Sequence, residues 1–153
     1  MPTFSSLLDR KTEDVQRPPA IPVGIYVARI QKLPGETRKP EGKAFEILEF
    51  PMEILEATDN VDPDDLKDFK GSVTGKVLRH SFLFSTDDEG NFESTAAKMK
   101  DFLEKHCGVE GEDIRELVAN SVNAQCLIEV SHRKDQNDAE IVYAQIQRTM
   151  PVG

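Results

Sequence analysis

The sequence lacks the features that would commit it to a membrane, to secretion or to a metal. No apolar run approaches the roughly 20 residues needed to cross a bilayer, so no membrane role is expected. The opening Met1-Pro2-Thr3-Phe4-Ser5-Ser6-Leu7-Leu8-Asp9-Arg10 has no basic start leading into an apolar stretch, which argues against a secretory signal and for a cytoplasmic protein. Cysteine is scarce: Cys107 and Cys126 stand alone, no second close pair completes a zinc spacing, and both read as ordinary buried thiols. Cationic excess is also missing. Nineteen Lys and Arg against 28 Asp and Glu leave a net charge of −9, which excludes a surface coated for duplex DNA but not a local basic groove. There is no phosphate-cradling glycine loop, no His-x-x-x-His pair and no histidine beside a nucleophile in a known local motif, so no catalytic residue, metal ligand or cofactor is expected.

What is present suits one domain with one core, since 153 residues at 38% apolar content are too few for two comfortable ones. Residues 1–20 read as an N-terminal arm, with a short helix over residues 4–15 and then Arg17-Pro18-Pro19, where two prolines favour an extended chain. Phe4, Leu7 and Leu8 give the arm an apolar face, to be docked on its own domain or on a neighbouring subunit as a homo-oligomer contact. Residues 21–150 read as the domain proper.

Within it, residues 21–33 alternate Tyr26, Ala28 and Ile30 against Val27, Arg29 and Gln31, with a bulge or tight bend expected at Gly24. Residues 43–57 place Leu48, Phe50, Met52 and Ile54 opposite Phe45, Ile47, Glu49, Glu53 and Leu55; Pro51 inside this run predicts an edge position or a bulge. An Asp- and Pro-rich loop with a helical turn through Leu66 and Phe69 leads to a third strand over residues 76–85. Asp87-Asp88-Glu89-Gly90-Asn91 reads as a turn and Ser94 as the N-cap of a helix that runs to about Cys107, stopped by Gly108. Its arc of Ala96, Met99, Phe102, Leu103 and His106 is the face to be buried. After a shorter helix over residues 112–119, residues 124–132 and 140–148 alternate as a hairpin around Asp135-Gln136-Asn137-Asp138, with Val142, Ala144, Ile146 and Arg148 on one face of the last strand.

Three strands, a helix and two strands is the element order of the OB-fold. The fold class expected is therefore mainly β: an OB-like five-stranded Greek-key barrel with a helix between strands 3 and 4 and an N-terminal arm. Ligands of such barrels lie across strands 2 and 3, flanked by the loops joining strands 1 and 2 and strands 4 and 5. Charge in this sequence sorts by that geometry. Arg29, Lys32, Arg38, Lys39 and Lys43 face only Glu36 and Glu41 in the first flank, a local net of +3; the second flank begins His132-Arg133-Lys134, and Lys76 and Arg79 lie between. Residues 53–68, in contrast, carry a net of −6. A basic groove on an acidic protein fits single-strand binding, which also needs side chains on which bases stack; Phe45 and Tyr143 are the candidates.

At Phe4-Ser5-Ser6-Leu7-Leu8-Asp9, at Arg17-Pro18-Pro19-Ala20-Ile21-Pro22-Val23-Gly24-Ile25-Tyr26, and in the element order that follows, the chain resembles the OB-fold single-stranded DNA-binding proteins of tailed bacteriophages. The resemblance implies a replication or recombination role in a host cytoplasm: coating single strands without strong sequence preference, protecting them, and meeting replication or recombination proteins. It departs from that pattern in ending Thr149-Met150-Pro151-Val152-Gly153 where many such proteins have an acidic tail. A phage structural or assembly module that binds protein through the same barrel is the other expectation.

Overall fold

Five segments that alternate apolar and polar side chains pair edge to edge, because each must bury one face and satisfy its backbone. In the computed structural model, which describes residues 3–12, 19–69 and 71–153, these are β1 (Gly24–Ile30), β2 (Phe45–Ala57), β3 (Val77–Ser85), β4 (Gln125–Lys134) and β5 (Val142–Met150). All pairings are antiparallel and the sheet order is β3-β2-β1-β4-β5. The two outer strands, β3 and β5, approach each other without a hydrogen-bonded ladder. The result is a nearly closed, OB-like barrel with the helix α3 (Glu89–Asp101) between β3 and β4. Short helices are α1 (Phe4–Leu8), α2 (Pro63–Asp68) and α4 (Ile114–Ala119).

The inner faces supply the core: Tyr26, Ala28 and Ile30 of β1, Phe50, Met52 and Ile54 of β2, and Cys126, Ile128 and Val130 of β4 are buried. Each large side chain so buried contributes about 1.5–3 kcal/mol. Helix α3 runs into a π-helical turn at Phe102–His106, and Phe102 and Leu103 plug the barrel. Phe102 meets Phe50 at 5.4 Å and His80 at 4.8 Å between ring centroids, and Phe82 meets Phe50 edge-on at 5.8 Å. Gly108, at φ +69°, lets the chain turn back, with the Val109 amide donating to the Leu103 carbonyl.

The helix starts earlier than its sequence predicts. Asp88, not Ser94, is the N-cap: its Oδ1 accepts from the Asn91 amide at 3.1 Å, so the expected turn over residues 87–91 is the first turn of α3. A carboxylate at the cap and Glu89 behind it match the positive helix end, while Gly90 makes the same run look like a turn. The last strand is also corrected. A register shift opposite Glu129 and Val130 leaves Gln147 unpaired, which turns Arg148 outward beside Glu129 and Thr149 inward. Arg148 therefore does not share a face with Ala144 and Ile146.

Pro51 lies at neither an edge nor a bulge: β2 is interior, and its bulge is at Leu55, between the pairs Val27–Glu56 and Ala28–Ile54. The proline is tolerated because β1 ends at Ile30. Its carbonyl accepts from Gln31 just past the ladder, and the donor it lacks would face the same vacated side. The expected bend at Gly24 has a steric cause: its φ is +139°, and a Cβ there would fall 2.7 Å from Val61 Cγ2. The acidic loop packs this closely because it buries Val61, Phe69 and Val73 while its aspartates stay outside. Of the predicted arm helix, α1 is capped by Thr3 and Ser6 and buries nothing; residues 13–18, including Val15, Arg17 and Pro18, lie outside the described residues.

Burial first, and then the neighbouring His106, push the His80 imidazole down to about 4. The unfolded chain, with an ordinary histidine, takes up a proton at higher pH than the native state does, so stability rises with pH between those two values. Stability in the wild type is expected to fall by about 2–3 kcal/mol as pH drops from 7 through 6.5 toward 4. His80→Gln should lose that much less over the same window in denaturant titrations at several pH values; parallel wild-type and variant curves would overturn this.

Candidate nucleic-acid interface

The outer face of β2 and β3 is built by the residues that alternate with the core set. Ile47, Glu49 and Pro51 of β2 lie opposite Leu83, Ser81 and Arg79 of β3. Where β1 has ended, the loop between β1 and β2 folds back along β2: Arg38 and Ile47 exchange both backbone hydrogen bonds, each 2.8 Å. The rest of that loop stands off the sheet and encloses a cleft of about 540 Å³. Leu33, Ile47, Pro51 and Val77 give the cleft apolar walls, while Lys32 and Arg79 line it together with Glu36 and with Glu49, whose carboxylate pairs with Arg38. Leu33 and Val77 are 49% and 40% exposed, so this is an open apolar face and not a leftover of the core.

The sequence-predicted residues divide into distinct groups. Lys32 and Arg79 are in the cleft, and Lys43 and Lys76 are exposed nearby in the chain; none of the four forms an ion pair among the described residues. Arg38 and Lys39 are exposed but paired, to Glu49 at 3.4 Å and Glu46 at 3.5 Å. Arg29 is tied more tightly, with Glu53 at 2.5 Å and the Asn123 side-chain oxygen as a second partner. Phe45 opens β2 on the outer face, opposite Ser85, and is half-buried.

The other flank forms its own cluster at the end of the β4–β5 hairpin. Arg133 and Tyr143 are directly opposite in the ladder, with the guanidinium 5.0 Å from the ring centroid. The Tyr143 hydroxyl donates to Asp135 at 3.1 Å. The Asn137 amide first, and this hydroxyl next, hold the Asp135 carboxyl below the usual carboxylate range. Tyr143 remains 38% exposed and Lys134 is exposed beside it. His132 does a structural task, its Nε2 lying 2.7 Å from the Ile21 carbonyl oxygen. In sheet order this hairpin and the β2–β3 cleft lie on opposite sides of β1. Tyr26 is buried, with its hydroxyl on the Pro22 carbonyl, and offers no platform.

Counting charge along the loop misses Glu46, Glu49 and Glu53. They come from β2, far enough along the chain to escape a local sum, yet they meet the loop cations in space. Glu49 and Glu53 share the outer face of β2, whereas Glu46 has the parity of Leu48 and Phe50 and reaches Lys39 from near the start of the strand. The Arg38–Glu49 and Lys39–Glu46 pairs, whose cations are exposed, are worth about 0–1 kcal/mol each. The aliphatic walls Leu33 and Val77 are likewise beyond sequence reading, since exposed Leu and Val carry no signature of their own.

Among the described residues no group of His, Cys, Asp and Glu is placed to hold a metal ion, and no helix is long and apolar enough to cross a membrane. Cys107 and Cys126 are both buried free thiols. Compared with known proteins, the chain matches no family model, and no curated protein matches it.

Proposed function

We propose that this protein binds single-stranded DNA across the outer face of β2 and β3, without strong sequence preference and without a cofactor, in phage DNA replication or recombination. The observation that carries the reading is the cleft between the β1–β2 loop and the β2–β3 face, with Lys32 and Arg79, free of ion pairs among the described residues, beside apolar walls. An OB-like barrel offers its ligand surface at that place, positive charge tracks a backbone, and apolar side chains receive bases. Phe45 and the Tyr143–Arg133 pair are the stacking groups. Replication or recombination proteins are proposed partners, and the arm, with Phe4 and Leu8 73% and 69% exposed, a contact between copies.

The same exposed Leu33, Val77 and Leu83 also favour a second reading, a phage assembly module that binds protein through this face. A titration with labelled oligo-dT, matched RNA and duplex DNA at several salt concentrations separates the two. Preferential single-strand binding that weakens with salt, with a slope of about 0.7 per phosphate bound, is expected. Binding to duplex as tight or tighter counts against it, and no binding at low salt ends it.

Two variants dissect the face. Glu46→Gln with Glu49→Gln frees Arg38 and Lys39 and should raise oligo-dT affinity several-fold with a steeper salt dependence. Folding stability should change by no more than about 1 kcal/mol per pair. Unchanged affinity would remove Arg38 and Lys39 from the phosphate path. Phe45→Ala should weaken binding by about 1–3 kcal/mol, the range for one stacked base. Loss of a core Phe instead costs about 3–5 kcal/mol of stability. Thermal melts beside binding curves therefore decide which role Phe45 has.

A further inference from the structure

The barrel has a second concavity, where β3 and β5 fail to pair. A groove of about 530 Å³ runs between β3, α3, the π-helical turn and the end of β5. Lys98, Lys105 and Arg148 line it against Asp101 alone, and Ser81 and Leu83 of β3 form its wall. Lys98 has no ion pair among the described residues, while Lys105 is 3.3 Å from Asp101 and Arg148 is 3.0 Å from Glu129. The side chains of Lys105 and Arg148 are 72% and 61% exposed, so these pairs yield readily to a stronger anion.

Two irregularities put the cations there. The π-helical turn carries Lys105 and His106 to β5, with His106 Nδ1 2.7 Å from the Thr149 hydroxyl. The bulge at Gln147 turns Arg148 outward beside them. One extra residue in each element thus brings together charges that regular structure would leave apart. Val77 and Arg79 of β3 line the first cleft, and Ser81 and Leu83, next on the same outward face, line this groove. Leu83 is 44% exposed. The two concavities are successive stations along one strand of the barrel.

We propose that a single strand leaving the β2–β3 cleft continues over β3 into this groove, with Lys98, Lys105 and Arg148 taking its phosphates and Leu83 an apolar contact to a base. The proposal rests on the nucleic-acid reading and extends the binding surface to a third side of the barrel. It makes the groove matter only for strands long enough to reach it.

The test compares oligo-dT of about 5 and about 16 nucleotides, the span covered by one OB-fold, on wild type, Lys98→Glu and Lys98→Ala/Arg148→Ala. Lys98→Glu touches no ion pair and should fold as wild type; melts check both variants. The long oligomer should bind the variants roughly tenfold more weakly, with a salt slope smaller by about 0.7 for each phosphate no longer held, while the short one binds unchanged. Equal affinity of wild type and variants for the long oligomer overturns the extension and leaves the cleft standing. Equal weakening for both lengths also overturns it, because the groove would then be part of the primary site. Failure of wild type to bind either length removes the nucleic-acid reading and the extension together.

Discussion

Packing of Phe102 against Phe50 and His80 edge-on, and against Phe82 at a tilt, is the contact on which the barrel depends. Antiparallel ladders hold β3 to β2, β2 to β1, β1 to β4 and β4 to β5, but nothing of that kind joins β3 to β5. Closure falls to side chains, and the helix supplies them: Phe102 and Leu103 fill the open end while Thr95 donates its hydroxyl to the Leu83 carbonyl at 2.9 Å. Aromatic pairs in this geometry add about 0.5–1.5 kcal/mol beyond their burial. The histidine in the cluster is kept neutral by the same burial. Helix, open seam and groove are thus consequences of one packing solution.

Strand β2 carries the opposite division of labour. Its inward residues Phe50, Met52 and Ile54 are fully buried, and its outward residues set the character of the cleft. Two departures from a regular strand make that possible. Pro51 sits where β1 has just ended, which leaves room for the β1–β2 loop to fold back at Arg38, and the bulge at Leu55 bends the strand around the core. Glu49 on this face, and Glu46 nearer the start of the strand, temper the loop cations, so a chain with net charge −9 presents a mixed surface and not a strongly basic strip. Lys32 and Arg79, which form no ion pair among the described residues, stand inside the cleft.

The acidic segment is more than a solvated loop. Val61, Phe69 and Val73 anchor it to the barrel, and the glycine at the start of β1 exists because Val61 comes so close. Asp62 N-caps α2, and the aspartates of the segment are exposed and none of them lines the cleft. Charge sorting between faces is therefore built on ordinary core packing, in which apolar anchors choose the side and acidic residues occupy what remains.

Alternation with period two, helix-spaced apolar residues and turn chemistry are local properties, and they were legible: five strands, a helix between the third and fourth, and the inner faces of β1 and β2 follow from residues close together in the chain. Gly108 as the helix stop and the buried arc through Met99, Phe102 and Leu103 were legible for the same reason. The start of α3 was obscured because Asp-Asp-Glu-Gly-Asn satisfies both a turn and a cap, and only the Asp88 bond to the Asn91 amide distinguishes them. The outward turn of Arg148 depends on how β4 and β5 align, which no period within β5 encodes. Charge partners were decided at the same level: Arg38 and Lys39 look free beside their chain neighbours, and meet Glu49 and Glu46 only because a loop folds back along β2 where β1 has ended. Periodicity determined which residues go inside, whereas the juxtaposition of charges across the surface was decided by tertiary structure, because electrostatic neighbours are set by distance in space and not by separation along the chain.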